Sequence, residues 1–301
     1  MTGVTVIGCV QVDLLLAPVL DVPPPGTSAF VDQLSLRVGG AGANTALALL
    51  EAGAGPRLVG VVGDDHFGRW ILEQLDAFGL AEDVAVDPAQ PTGLTVAIEA
   101  PARERSFLTH LGVTGTAGPE IVPESSLAAG HVLICDYFCA PALRGEPTRR
   151  LFTTARALGA RTYFDTAWDT AGFPPATREE LYGILPLVDV FLPNEAEACA
   201  LAGVESVAKA GRDLQRRSGG WVVIKLGADG CVAYGPHGGR LQAGAPAIAP
   251  EDTTGAGDAF NAGLLAALAA GRDLPDALEA ANGLATSLLA RPSNGRHTVR
   301  R

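Results

Sequence analysis

The sequence predicts a three-layer α/β fold with a mostly parallel central sheet and a small β lid. From residue 131 onward, short apolar runs such as HVLICDYF, RTYFDTAW and WVVIKLG alternate with stretches of helical pattern. This alternation is typical of βαβ units, which build parallel sheets. Hydrophobic residues make up 48% of the 301 residues and charged residues 18%, so the chain has enough apolar material for a large core.

Two stretches of the first half show little helical pattern and predict the lid. They comprise residues 10–36 and 91–116, and the first of them contains proline and glycine clusters of the kind found in loops and edge strands. The rest of the chain is predicted to form one α/β domain that binds nucleotide and substrate, over residues 1–9, 37–90 and 117–301.

The individual elements follow from apolar runs bounded by turn residues. Strands are predicted at residues 4–8, 30–38, 93–98 and 105–110, in RLVGVVG, HVLICDYF, RTYFDTAW, VDVFLPN and WVVIKLG, and in a hairpin that begins at CVAYGP. Helices are predicted at residues 43–52, where a glycine-rich turn precedes an Ala- and Leu-rich run, in GDDHFGRWILEQLDAFGL, and at 254–270 and 274–289.

Composition and charge exclude several classes of partner. The formal net charge is −11, and such an acidic chain repels phosphate backbones, which disfavours nucleic acid. No apolar run is long enough to span a membrane, and no basic-then-apolar signal opens the chain, so a cytoplasmic protein without membrane contact is predicted. The five cysteines form no CxxC pair and are predicted to be reduced core thiols rather than zinc ligands.

The segment EDTTGAGDAFNAG carries the strongest chemical pattern. Asp252 and the two threonines after it supply capping side chains, and Gly255, Ala256 and Gly257 leave the backbone of a helix start bare. Amides in a first helical turn lack intrahelical acceptors and lie at the positive end of the helix dipole, so they predict an anion site. Asp258, in the same turn, is placed to accept a proton from a hydroxyl. By residue types alone, a plain aspartate-rich helix start explains the segment equally well.

The same segment resembles a family signature. DTTGAGDAFNAG is similar to the C-terminal DTxGAGDxF signature of the PfkB carbohydrate kinases, and VGGAGANTALAL resembles their N-terminal GGxGxNxA signature. GDDHFG and LPNEAEA match two further family stretches in the expected order. The resemblance implies a ribokinase-like fold and a kinase that uses ATP and Mg²⁺. The implied acceptor is a hydroxyl of a small molecule, a sugar or sugar acid.

The resemblance also implies roles for matching positions. Asp258 falls at the catalytic base, and Gly255, Ala256 and Gly257 fall at the anion hole for the γ-phosphate. Substrate binding is implied for Asp13, Gln11, Gly39, Gly40, Asn44 and Asp252. Gln11 and Ala41 stand where ribokinases tend to carry asparagine and lysine, which counts against ribose itself.

Asn194 and Glu197 have two compatible interpretations. Their N-x-x-E spacing predicts a capping box at a helix start. The resemblance places Asn194 near the nucleotide phosphates and Glu197 near Mg²⁺, and a capped helix can also present a carboxylate to metal-bound water.

Lys225 ends the predicted strand WVVIK, at the sheet edge where open α/β folds bind ligands. The resemblance places it beside the nucleotide, together with Gly227, Gly230 and Asn282. A strand-end lysine that merely extends its amine into water fits the sequence equally well. Asp136 and Asp165 also end strands, and a turn or packing role fits them as well as a cleft role.

Other functions have weaker support in the sequence. A P-loop is disfavoured because no GxxxxGK[ST] occurs, and neither GxG pair carries the third glycine of a dinucleotide-binding fingerprint. Two alternatives stay open. A nucleoside kinase is favoured if Phe30, Phe107 or Trp168 stacks on a base, and a non-catalytic sugar- or nucleotide-binding protein is favoured if the fold lacks activity.

Two further expectations concern assembly and ions. Exposed strand edges of the lid predict a homodimer through that element. The resemblance implies activation by K⁺ through the Asp252 region, although the C-terminal stretch LLARPSNGRHTVRR departs from the ribokinase pattern that completes the cation site.

Overall fold

The computed structural model describes residues 3–17, 19, 23–98, 106–249 and 253–291. The strands are β1 Val4–Ile7, β2 Gln11–Ala17, β3 Gln33–Gly39, β4 Pro56–Gly63, β5 Val84–Asp87, β6 Leu94–Ile98, β7 Ser106–His110, β8 His131–Ile134, β9 Arg161–Phe164, β10 Val190–Phe191, β11 Trp221–Lys225, β12 Cys231–Tyr234 and β13 Arg240–Ala243. The helices are α1 Ala41–Glu51, α2 His66–Asp76, α3 Glu124–Leu127, α4 Glu146–Ala157, α5 Pro175–Ile184, α6 Glu195–Ala202, α7 Val207–Ser218, α8 Ala256–Ala269 and α9 Leu274–Leu289.

The central sheet has nine strands in the order β13-β12-β11-β10-β9-β8-β1-β4-β5. Neighbours from β11 to β5 pair in parallel, and only the β11-β12-β13 edge is antiparallel. Parallel strands need crossover helices, which explains why apolar runs and helical stretches alternate in the sequence. The predicted mostly parallel sheet is confirmed, and so is the hairpin after CVAY.

Helices cover both faces of this sheet. Val132 and Ile134 of β8 pack with α4, α5, α6 and α7 in one apolar core. Leu133, between them, packs on the other face with α1, α8 and α9. Successive strand residues point to opposite faces, so a fully apolar run such as VLI serves both cores at once. The result is the three-layer arrangement that the sequence predicted.

A second sheet of four strands, in the order β3-β2-β6-β7, lies at the C-terminal edge of the central sheet. It uses the two stretches that were predicted as the lid. Strand β2 pairs with β6 in parallel, and the two outer pairs are antiparallel. The predicted strand at residues 30–38 begins later than expected, at Gln33, and runs on to Gly39, where it leads directly into α1. The division into a domain and a lid stays a prediction.

The turn from β1 to β2 and the start of α1 pack backbone against backbone. Gly40 has a φ of 87° and caps α1, a conformation that favours glycine. A Cβ at Gly42 would lie 2.6 Å from the carbonyl carbon of Gly8 and 2.8 Å from the oxygen of Cys9. Glycine at both positions therefore lets α1 begin directly against the end of β1.

None of the helices in the described ranges is both long enough and apolar enough to cross a lipid bilayer.

Candidate active site

Two cavities meet at the C-terminal edge of the central sheet. The first, about 380 Å³, lies between this edge and the small sheet. The second, about 480 Å³, lies between the loop after β11 and helices α8 and α9. Asn194, Lys225 and Gly257 line both cavities. Molecules bound in the two cavities would therefore meet at these three residues.

The start of α8 lies at this junction. Gly255 caps the helix with a φ of 78°, which glycine adopts without strain. The amide of Ala256 donates to the carbonyl of Thr253 at 3.1 Å. Within the described ranges, the amides of Gly255 and Gly257 reach no acceptor, so these two remain available to an anion. The predicted anion hole thus has two open amides, while that of Ala256 is engaged in the turn.

Asp258 lies in the first turn of the same helix and lines the first cavity. Asn44 of α1 donates from Nδ2 to its Oδ2 at 3.0 Å. Burial and the nearby carboxylate of Asp136 raise the pKa of Asp258 to about 7, against the opposing effect of this hydrogen bond. A carboxylate with such a pKa holds and releases a proton near neutral pH, as a general base requires.

This raised pKa makes a prediction for the pH dependence of turnover. Asp258 is an effective base only when ionised, so kcat/KM for the acceptor should rise with pH through an inflection near 7. Initial rates at saturating MgATP over about pH 5.5 to 9 would measure it. Asp136→Asn should move the inflection to lower pH, because the negative charge of Asp136 raises the pKa of Asp258. A profile that is flat over this range would contradict the assignment.

The small sheet supplies a polar wall to the first cavity. The Nε2 of Gln11 donates to the hydroxyl of Thr95 at 2.7 Å and to the carboxylate of Asp13 at 3.2 Å. The hydroxyls of Thr95 and Thr109 are 2.9 Å apart. Gly40 and Phe107 complete this side of the cavity. A wall of amide, hydroxyl and carboxylate groups suits an acceptor with several hydroxyls.

Gly39, for which the resemblance implied substrate binding, lies beside the first cavity. It ends β3 directly against the Asp13 carboxyl group, which occupies the space that a Cβ would need. Gly39 thus gives room to a cavity residue instead of lining the cavity itself. Asp252, also expected to bind substrate, lies outside the described residues.

A buried ion pair closes the inner end of the first cavity. The Nζ of Lys225 lies 2.7 Å from Oδ2 of Asp165, and both side chains are nearly inaccessible. Asn261 of α8 donates to the same oxygen at 2.6 Å. Burial opposes the charge of Lys225, but the carboxylates of Asp165 and Glu197 offset it and raise the pKa of the amine. Lys225 is therefore a fixed cation at the junction and not an amine that extends into water.

Asn194 and Glu197 form the predicted capping box. The Oδ1 of Asn194 accepts from the amide of Glu197 at 2.9 Å, and Oε2 of Glu197 accepts from the amide of Asn194 at 2.8 Å. Burial, with the nearby charge of Asp165, raises the pKa of Glu197 to about 7. Both residues also line the first cavity, so capping and a place in the site coexist.

The second cavity has the shape and lining of a nucleotide site. Its glycines Gly227 and Gly230 have φ values of 60° and 84°, and the carbonyl of Ala243 and its neighbours leave no room for a side chain at Gly230. The buried Asn282 donates to the carbonyl of Ala243 at 3.1 Å. The remaining lining is largely apolar and includes Ile248, Phe260, Ala285 and Leu289. An apolar slot beside exposed backbone suits a flat heteroaromatic ring.

Several residues that line the cavities or contact their charged groups were not predicted from the sequence as site residues. Asp136 and Asp165 were ranked with turn residues, yet both line the first cavity. Their position directly after strands β8 and β9 was the available signal. Thr95, Thr109 and Asn261 carried no recognisable pattern, because their role depends on which strands and helices become neighbours.

Comparison with known proteins gives concordant results. The sequence profile of the pfkB family of carbohydrate kinases matches residues 1–296. The chain is 32% identical over 270 residues to 2-dehydro-3-deoxygluconokinase of Thermoproteus tenax, which covers 87% of this chain and 82% of the relative. It is 33% identical over 251 residues to ATP-dependent ribose-1-phosphate kinase of Halopiger xanaduensis, covering 81% and 77%. A crystal structure of an E. coli protein assigned as ribokinase II, with ATP and Mg²⁺, superposes with a TM-score of 0.83 at 22% identity, over 97% of this chain and 94% of the other.

Proposed function

Because this chain belongs to the pfkB family of carbohydrate kinases, and is thus an ATP-dependent sugar kinase, we propose that Asp258 is its catalytic base. The observation that carries this assignment is the position of Asp258. Asp258 lines the acceptor cavity and lies in the same helical turn as Gly257, which lines both cavities.

The chain's own groups account for the main demands of the reaction. Asp258 takes the proton of the acceptor hydroxyl as that oxygen attacks the phosphoryl group. The open amides of Gly255 and Gly257 and the dipole of α8 stabilise the negative charge that develops on the transferred group. Lys225, held by Asp165, adds a fixed positive charge beside Gly257: a Cβ at that glycine would lie 3.4 Å from Nζ.

The nucleotide is placed in the second cavity, with its base against Phe260 and Leu289 and its phosphates toward Gly227 and the start of α8. Glu197, whose carboxylate lines the first cavity, would hold Mg²⁺ through the waters of the ion, with Asn194 beside it at the junction. The ion would neutralise phosphate charge. Activation by K⁺ remains a prediction, to be checked by assays with and without K⁺.

The acceptor is proposed to be an uncharged polyhydroxy compound. Its cavity carries the carboxylates of Asp13, Asp136 and Asp258 beside hydrogen-bonding groups such as Gln11 and Thr95. The positive charge of Lys225, which also lines the cavity, is already paired with Asp165. A second negative charge about 4 Å from one carboxylate costs about 4 kcal/mol at an effective dielectric constant of 20. The acceptors in the names of the two relatives are a sugar acid and a sugar phosphate, and this cavity opposes such anions.

A panel of acceptors tests whether the cavity selects uncharged compounds. Neutral sugars such as fructose and ribose should be phosphorylated with a kcat/KM about 100-fold or more above that of 2-dehydro-3-deoxygluconate or ribose 1-phosphate, since about 4 kcal/mol corresponds to nearly three powers of ten. The measurement is the rate of ATP consumption in the presence of Mg²⁺. Asp13→Asn should reduce the difference in kcat/KM between neutral and anionic acceptors, because it removes one of the opposing negative charges. Preference for either anion would refute the proposal about charge while leaving the kinase assignment intact.

A nucleoside is the second candidate acceptor, and one observation favours it. Phe107 lines the acceptor cavity with 53% of its surface exposed, so a base could stack on the ring. Nucleosides in the same panel decide between the two classes. ATP binding without turnover on any acceptor would favour the non-catalytic alternative.

We also propose that the small sheet is a lid through which two chains associate. Cross-strand pairing places Leu36, Leu14, Val96 and Leu108 in one row across all four strands. The neighbouring row of Arg37, Asp13, Thr95 and Thr109 lies on the opposite face, which lines the cavity. Leu36 and Leu108 are 44% and 63% exposed, so the outer face is apolar and accessible.

A second copy of this chain is the proposed occupant, because two apolar sheet faces can bury each other in an isologous contact. Light scattering should give a dimer at micromolar concentration, and Leu108→Glu should convert it to a monomer. Leu158→Glu is the matched control, since Leu158 is 45% exposed at the end of α4, outside the small sheet. A wild-type monomer would refute this interface.

A further inference from the structure

Two thiols and a carboxylate converge beside the acceptor cavity. The Sγ atoms of Cys9 and Cys139 and a carboxylate oxygen of Asp136 all lie within 4.8 Å of one another. Cys9 and Asp136 are buried, Cys139 is half-buried, and all the cysteines are free thiols. No step of the proposed phosphoryl transfer uses either thiol.

The backbone holds this cluster in shape. Asp136 has a φ of 58°, a left-handed conformation that costs a non-glycine residue about 1–2 kcal/mol. The amide of Cys139 donates to the carbonyl of Asp136 at 2.8 Å, so the turn brings the Cys139 side chain back toward Asp136. Conformations of this kind persist where the surrounding structure enforces them, often at functional sites.

The carboxylate of Asp136 is fixed in the same way. Its Oδ2 accepts from the amides of Ala41 at 2.7 Å and Cys9 at 3.2 Å. These two backbone bonds position the carboxylate group next to the sulfur atoms of Cys9 and Cys139, within 4.8 Å of both.

We propose that Cys9, Asp136 and Cys139 bind one thiophilic divalent metal ion, Zn²⁺ being the reference case, and that the bound ion inhibits the kinase. In a tetrahedral zinc site, with Zn–S near 2.3 Å, two sulfur ligands lie about 3.8 Å apart, which the cluster accommodates. Binding releases the protons of both thiols, forms two metal–thiolate bonds and one metal–carboxylate bond, and involves no change of oxidation state.

Inhibition follows from the position of Asp136. This residue lines the acceptor cavity together with the proposed base, Asp258. An ion on Asp136 would occupy the wall of the cavity, where the acceptor has to bind. This consequence rests on the proposed function, whereas binding of the ion does not.

The cysteine spacing in the sequence disfavoured a zinc site, and the fold explains why spacing was no guide. Cys9 follows β1 and stands 127 residues before Asp136, which follows β8. Strands β1 and β8 are adjacent and parallel, so residues just beyond their C-terminal ends meet in space.

Metal content after gel filtration tests binding without reference to activity. The chelator-treated chain is incubated with Zn²⁺ in excess Mg²⁺, which occupies oxygen-only sites, and its zinc content is then measured. The wild type should retain one equivalent, and Cys139→Ser should bind at least about 10-fold more weakly. Cys199→Ser, a half-buried cysteine on α6 outside the cluster, should behave as the wild type.

Turnover with a sugar from the panel gives the second readout. Zn²⁺ should inhibit the wild type and Cys199→Ser but not Cys139→Ser. A wild-type chain that emerges without zinc, or a Cys139→Ser variant that retains it, would overturn the site. Equal inhibition of all three proteins would overturn its inhibitory role. If the buried Cys9→Ser variant does not fold, the half-buried Cys139 still decides the outcome.

Discussion

Replacing Asp258 by asparagine should reduce kcat by about 10²–10⁴-fold while leaving ATP binding nearly unchanged. Asparagine has almost the same shape and keeps a polar group next to Asn44, but it cannot take the proton of the acceptor hydroxyl. Steady-state rates with the preferred acceptor and a fluorescent ATP-binding titration separate the two effects.

The same substitution should stabilise the folded chain above about pH 7. The folded-state pKa of Asp258 is raised from 3.8 to about 7, so its ionised form is disfavoured by folding. The stability that the protonated Asp258 side chain contributes to the folded state is fully present below about pH 4 and is lost as the pH rises through 7. Chemical denaturation should therefore show a gain for Asp258→Asn at about pH 8 that disappears near pH 4. Such a gain in stability at the expense of activity is a common trade-off at active sites.

The control is an aspartate with the same local position. Asp276 lies in the first turn of α9, as Asp258 does in α8, but it is exposed to solvent. Asp276→Asn should leave kcat unchanged. If Asp258→Asn retains more than about a tenth of kcat, Asp258 is not the base.

Replacing Lys225 by methionine should destabilise the chain by about 3–5 kcal/mol and weaken nucleotide binding. The substitution leaves the Asp165 carboxylate buried with only the Asn261 amide as a partner, and an uncompensated buried charge is costly. The loss should shrink at low pH, where the nearby Glu197, whose pKa burial raises to about 7, is protonated and no longer adds a buried negative charge. Denaturation with urea at about pH 8 and about pH 5 measures both effects.

Two variants show whether the cost arises from the unpaired charge. Combining Lys225→Met with Asp165→Asn removes both charges and should recover most of the lost stability. Arg216→Met breaks a pair of similar length, 2.9 Å to Asp213, but Arg216 is 72% exposed and the loss should stay below about 1 kcal/mol. Equal losses for Lys225→Met and Arg216→Met would show that the buried pair contributes no more than a surface pair.

Much of the fold was predictable from local sequence. The apolar run of β8 is buried throughout and that of β11 is buried in its three central residues, because a strand covered on both faces needs apolar residues. The helix start at Gly255 and the capping box of Asn194 and Glu197 depend on residues within one turn, so their spacing sufficed. Boundaries were less certain: α1 begins two residues before the predicted helix, since contact with Gly8 fixes its start.

The candidate site was only partly predictable. Asp258, Asn194 and Lys225 were singled out because each lies in a helix start or at a strand end with a distinctive pattern, and each lines one or both cavities. Thr95 and Thr109 were not, because a threonine in a strand pattern is ordinary and becomes a cavity residue only through the pairing of β6 with β7. The sequence also does not show that the Asp13 carboxyl group fills the space beside Gly39, whose role in substrate binding stays a prediction.

The sequence by itself therefore determined the strands, the helix starts, and the residues proposed as base and anion hole in one helical turn. The tertiary structure alone decided which of these groups act on one another. It joins Asn44 to Asp258 across 214 residues and Lys225 to Asp165 across 60. It also gathers Cys9, Asp136 and Cys139 into one cluster. The physical reason is the parallel sheet, whose strand order is set by packing on both faces and brings the C-terminal ends of distant strands to a common edge.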